Sequence, residues 1–177
     1  DLLYRYYPNL EKPEPNRQSQ SHFLYHMINT PRQLEEKMTL FWHTLFATGY
    51  AKVDNATELQ RQMETFRKHG MGAYRDLLVE VAKDPSMIFW LDNNYNHKDE
   101  PNENWGRELL ELFSMGQGNY TEQDVFEVAR AFTGWTIAPK IPGANLWDFE
   151  YRTEDHDFAE KEFLGERGRF NGEDVID

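Results

Sequence analysis

Glu108, His43 and the His156-Asp157 pair are the side chains of this sequence whose types and surroundings suit acid-base chemistry. Placed on a helical wheel at about 100° per residue, NENWGRELLELFSM sets Trp105, Leu109, Leu112 and Phe113 on one face, with Glu103, Arg107 and Ser114 opposite. Glu108 falls inside the apolar arc, where a carboxylate must find a partner or take up a proton. The five-residue connection Gly116 to Tyr120 suits an antiparallel helix pair, which brings Glu108 level with Ala129 and Arg130. A Glu108–Arg130 ion pair is therefore expected. It reads either as a lock that fixes helix register or as a catalytic or ligand-binding carboxylate. His43 follows Trp42 at the margin of an apolar stripe, and His156-Asp157 follows a strand-like segment in TEDHDF. Imidazole suits proton transfer near neutral pH, but each histidine also reads as a hydrogen-bonded residue at the edge of the core.

A second candidate is DNNYNHKDEPNE, where Asp92, Asn94, Asn96, Glu100 and Glu103 stand at positions one, three, five, nine and twelve of a calcium-loop spacing. Position six, which needs glycine for the sharp turn, is His97. Pro101 and Asn102 explain the same residues as an extended lead-in and a helix cap, and this is the reading preferred. No cofactor is expected; calcium or another divalent cation is the alternative. Glu103, Arg107 and Glu111 lie four apart, a ladder that supports a helix by a few tenths of a kcal/mol per pair. His22 and His26 have a spacing that can chelate zinc, yet they lie opposite Phe23, Leu24 and Met27 on the expected water side, without an HExxH glutamate. No phosphate-binding glycine loop or GxSxG elbow is present, and GQGNY sits between two helices as a turn.

Most of the elements that position these groups are helical. EKPEPNRQSQ reads as a loop, giving a linker over residues 1–20 and a helical domain over 21–177. Ser21 caps SHFLYHMIN; Thr30, Pro31 and Gln33 then start a helix carrying the stripe Leu34, Met38, Phe41, Trp42 and Leu45. NATELQRQMETFRKHG, MGAYRDLLVEVAK and PSMIFWLD follow as helical segments, the second stopped by Asp84-Pro85. Asn102 caps NENWGRELLELFSM, and Thr121 caps EQDVFEVARAFT. LWDFEYR alternates as a strand does, and NGEDVID reads as a cap and first helical turn. The fold class expected is mainly α: a multi-helical single domain with an antiparallel helix hairpin and a short β element near the C-terminal end. Both termini read as cuts through a longer chain.

With 177 residues, 39% of them hydrophobic and 15% aromatic, the chain can bury one core. Its formal charge of −12 opposes binding to phosphate backbones, so no nucleic-acid partner is expected. There are no cysteines, which excludes disulfides and thiolate chemistry. The most apolar stretch, LFWHTLFATGYA, is too short to span a bilayer, so this segment is not expected to insert.

Three blocks in order, EKMTLFWHTLFAT, then PNENWGRELLELFSMGQGNYTEQDVFEVARAFTGW, then HDFAEKEFLG with NGEDVID, resemble the bacterial family catalogued as domain of unknown function 1800. The resemblance implies a mostly helical protein several hundred residues long, of which this chain is an internal part. It also implies export, and hence a periplasmic or secreted location and a protein partner in the cell envelope; no established reaction comes with it. Trp42-His43, Glu108, Arg130 and His156-Asp157 match positions of the family pattern, but relatives commonly carry a second histidine where this chain has Leu45. The block PNEN, with Asn102 and Asn104, favours the cap over the calcium loop. Two functions stay open: an envelope binding or assembly module in which Glu108 and Arg130 lock the architecture, favoured on the absence of a complete catalytic motif, and a hydrolase-type enzyme, metal-assisted or not, that gathers Glu108, His43 and His156.

Overall fold

The computed structural model describes residues 15–141 and 146–177, and its architecture is mainly α, as expected. The segment DLLYRYYPNL lies outside the described residues. Helix α1 spans Pro15–Asn29. It begins inside the stretch read as a linker, because a proline in the first turn lacks only an N–H that would have had no helical partner. Helix α2 (Gln33–Leu45) starts at Arg32 rather than at Thr30. The Thr30 hydroxyl instead accepts from the Arg32 N–H at 3.1 Å, while Gln33 Nε2 donates to the Thr30 carbonyl at 2.9 Å.

Short α3 (Tyr50–Val53) leads to α4 (Ala56–His69), capped by Asn55, then α5 (Tyr74–Ala82) and α6 (Pro85–Trp90). Asp84, read only as a stop, also caps α6 by accepting from the Met87 N–H at 2.9 Å. The core is largely aromatic: Phe46, Phe66, Trp105, Phe113, Phe132 and Trp135 are all buried. Trp42 locks α2 onto the end of α4 by donating from Nε1 to the Gly70 carbonyl at 2.7 Å and stacking near Phe46 and Tyr74.

The apolar stripe of α2 is only half used. Trp42 and Leu45 pack on the core, but Leu34 and Phe41 are exposed while Glu36 and Thr39 are buried. Helix α1 departs in part: Phe23 and Met27 are partly buried as expected, but Leu24 is exposed and His22 is partly buried. Polar pairing sets the rotation of α2, since a buried Glu36 must meet its partner Arg67 on α4.

Helices α7 (Asn104–Glu111) and α8 (Glu122–Ala131) form the expected hairpin. They approach through Gly106, where an added Cβ would lie 3.1 Å from the Val125 carbonyl oxygen and 3.2 Å from the Ala129 N. That contact displaces the expected register by roughly one turn. Helix α8 has a full capping box between Thr121 and Asp124.

Strand β1 (Trp135–Pro139) pairs antiparallel with β2 (Trp147–Tyr151), from Trp135 opposite Tyr151 to Pro139 opposite Trp147. Only β2 was legible beforehand. A further hairpin, β3 (Lys161–Phe163) with β4 (Glu166–Gly168), turns at Leu164-Gly165, with φ of 50° and 83°. Helix α9 (Gly172–Ile176) closes the described fold, capped by Asn171.

Gly134, between α8 and β1, has φ of 78° and faces the Arg152 carbonyl so closely that a Cβ would collide with it. Gly134→Ala is expected to lower stability by about 2 kcal/mol or more through strain and steric conflict together. Gly106→Ala, whose helix pair can separate slightly, should cost about 1–3 kcal/mol. Urea denaturation with an unchanged slope checks both.

Candidate functional site

Helix α4 carries more buried polar side chains than a surface helix can leave without partners. Gln62 is fully buried; its Oε1 accepts from the Thr48 hydroxyl at 2.5 Å and its Nε2 donates to Asp84 Oδ1 at 2.8 Å. Glu58 accepts from the Trp147 N–H at 2.8 Å and from Arg61, and Arg61 reaches on to Asp148 at 2.9 Å, fastening α4 to β2. One turn further, Arg67 donates from Nε and Nη2 to the two oxygens of buried Glu36 at 2.8 and 3.2 Å. The Arg67 guanidinium also lies over the Phe23 ring, 5.7 Å from its centroid.

Between these anchors lies a cavity of about 440 Å³ where α1, α2, α3 and α4 meet. His22 and Phe23 come from α1, His43 from α2, Tyr50 from α3, and Leu59, Met63 and Arg67 from α4; Thr48 belongs to the wall as well. Burial pushes the His43 imidazole below its ordinary range. His43 Nδ1 is enclosed without a hydrogen-bond partner among the described residues. His22 is also held low, by burial first and then by the neighbouring charges of His26 and Arg67. Both rings are thus biased toward the neutral form.

The other candidates fall elsewhere. His156 is buried, bonds from Nδ1 to the Thr133 carbonyl at 2.9 Å, and meets Tyr151 and Phe158 edge-on. Burial draws its ring to the neutral side, against the pull of the Thr133 carbonyl. Arg130 pairs with Asp157 at 2.7 Å and Glu127 at 2.5 Å, not with Glu108. Burial raises the Asp157 carboxyl, but the Arg130 bond and the Ala159 N–H outweigh it and hold the group below its usual range. The expected Glu108–Arg130 pair is therefore corrected: the close approach at Gly106 shifts the hairpin register, and α8 spends Arg130 on the late block instead. Glu108 is partly exposed and has no side-chain partner among the described residues; burial, then Glu111, raises its carboxyl. The cavity that His43 lines includes neither Glu108 nor His156, so the three do not form a common site there.

The calcium spacing does not assemble a cage. Asp92 adopts φ of 60° and pairs with Lys52 at 2.7 Å. Asn96 turns inward, donating to the Ala129 carbonyl at 2.8 Å and accepting from the Asn102 N–H at 2.9 Å. Asn94 Oδ1 is buried without a partner among the described residues, Glu100 is exposed, and Glu103 pairs with Arg107. Among the described residues no group of three or more His, Cys, Asp or Glu is placed to hold a metal. Asn102 does serve the start of α7, accepting from the Asn104 N–H at 3.0 Å one residue upstream of the cap position. Arg107 bridges Glu103 and Glu122, joining α7 to α8, rather than reaching Glu111. Of the two histidines expected on the water side, His26 is exposed and lies 3.7 Å from Glu36, whereas His22 is partly buried on the cavity wall; their rings are 5.3 Å apart.

A family model described as "Protein of unknown function (DUF1800)" matches residues 6–177. The chain belongs to that family. No curated protein and no solved structure matches it. Within the family block EKMTLFWHTLFAT, Trp42 is thus a packing residue and His43 a cavity residue. Leu45, where the resemblance implied a second histidine, packs on the core.

The polar chain behind Thr48 ends at Asp84, whose carboxyl burial pushes up to about 7. Its unfolded value is lower, so the native state holds the extra proton. The stabilisation is complete below the unfolded value, near pH 4, and is lost as pH rises through about 7. Asp84→Asn, which retains the acceptor for Gln62 and Met87, should flatten the stability profile over that window. The wild type should show an additional slope of up to about one proton, measured by urea unfolding at a series of pH values.

Proposed function

We propose that this chain is a ligand-binding module of an exported envelope protein, with the α1–α4 cavity as its binding site. One observation carries the reading: among the described residues the cavity wall presents His43, Arg67 and an apolar lining without a carboxylate. Acid-base hydrolysis needs a second group within hydrogen-bond reach to orient or relay the proton. His43 has no such partner among the described residues, whereas a mostly apolar cavity with a few donors suits binding. Export, a periplasmic or secreted location and a protein partner in the envelope are proposed on the three-block resemblance. The Arg130–Asp157 pair takes the locking role first expected of Glu108.

The test uses the full-length protein and its His43→Ala variant against ester, phosphoester, glycoside and amide reporter substrates, with cell fractionation in parallel. The expected outcome is turnover at background for both proteins and recovery in the envelope or secreted fraction. Turnover above background that His43→Ala abolishes would establish the hydrolase alternative instead.

A further inference from the structure

We infer that the ligand of this cavity is a small amphiphilic anion, a carboxylate on an apolar or aromatic body, and that a proton is taken up with it. This rests on the binding-module reading and specifies what the module binds.

The charge pattern comes first. The chain has 31 acidic and 19 basic residues, yet among the described residues the ionisable ones on the wall are His22, His43, Tyr50 and Arg67, with no Asp or Glu. A wall of donors on an acidic molecule selects an acceptor, and a carboxylate supplies one with charge.

Arg67 is already set for that contact. Two bonds to Glu36 fix the fork, Phe23 covers one face, and Nη1 makes no hydrogen bond among the described residues. An immobilised guanidinium loses little rotamer freedom on binding, so more of the charge-assisted bond appears as affinity. Phe23, Leu59, Met63 and Ala51 offer apolar contact for the body of the ligand. A volume of about 440 Å³ suits a small molecule and excludes a folded partner.

The proton follows from the two imidazoles. Around His22, Glu64 and Glu36 favour the charged ring, while burial, His26 and Arg67 oppose it. At His43, burial alone holds the ring neutral. An anion in the cavity that both rings line opposes that balance by favouring the imidazolium, and a ligand that raises a proton affinity takes up a proton when it binds.

Calorimetry on the full-length protein decides this, with benzoate, hexanoate and their neutral amides as probes, in two buffers of different ionisation enthalpy near pH 6.5. Each acid should bind at least about tenfold more tightly than its amide, the equivalent of one charge-assisted bond. Proton uptake should be positive, and affinity should fall from about pH 5.5 to about pH 8 as the imidazoles lose the ability to charge. His43→Gln should reduce both affinity and uptake, and Arg67→Lys, which keeps a cation beside Glu36, should weaken binding about tenfold through loss of the Nη1 donor that Glu36 does not occupy. If Arg67→Lys does not fold, His43→Gln decides. Amides that bind as well as their acids would overturn the anion while leaving a binding module. Acids that bind with no proton uptake would overturn the coupled proton. No binding by any of the four probes would overturn the inference, and the reporter-substrate result would still stand on its own.

Discussion

Helix α4 has to bury Glu58 and Gln62 and to cover most of the Arg67 side chain, and each must be satisfied by a different part of the chain. Gln62 engages the Thr48 loop and the cap of α6, Glu58 with Arg61 engages β2, and Arg67 engages α2. Leaving one partner of a buried ion pair alone costs on the order of 3–5 kcal/mol, so these connections constrain placement more sharply than apolar contact does. Apolar packing tolerates sliding; a carboxylate that must meet a guanidinium at 2.8 Å does not. The orientation of α2 follows, including the exposure of Leu34 and Phe41 in favour of Glu36 and Thr39.

The cavity is a by-product of the same constraint. Helices α1 and α2 are held against α4 on one side by Glu36–Arg67, and the Thr48 loop is held on the other by Gln62. The space between these two ties is not filled by a large side chain, and His43 remains on its wall. Its neutral state and the fixed Arg67 fork arise from one architecture: burial without a carboxylate neighbour for the first, and a bidentate carboxylate for the second.

The helices of the fold were legible because their signals are local. Thr121 with Asp124, Asn171 with Asp174 and the stop at Gly134 each act within a few residues. The site was less legible because its contacts are distant in sequence. Glu36 and Arg67 are 31 residues apart and Gln62 and Asp84 are 22 apart, with no periodicity to announce either. Wheel reasoning set Glu108 inside an apolar arc with Leu112, yet Glu108 is partly exposed and Leu112 is exposed; it could not foresee Gly106, where the absence of a side chain sets the hairpin register. Arg130 was wrongly partnered, since Asp157 comes from a segment that no local rule brings alongside α8. The same difficulty affected α1, where an amphipathic reading sent Leu24 inward and His22 outward.

The stretch that resembled a calcium loop is tied down on both sides by the protein itself. Asn93 donates to the Trp135 carbonyl and Asn96 to the Ala129 carbonyl, the Gly134 N–H returns to the Asn96 carbonyl, and His97 meets Asp155 at 2.5 Å. Residues 92–103 therefore cannot open without exposing the end of α8 and the turn into β1. The amide protons of these three separated segments share one opening event, so in hydrogen exchange they behave as a single cooperative unit rather than as a loop resting on a domain.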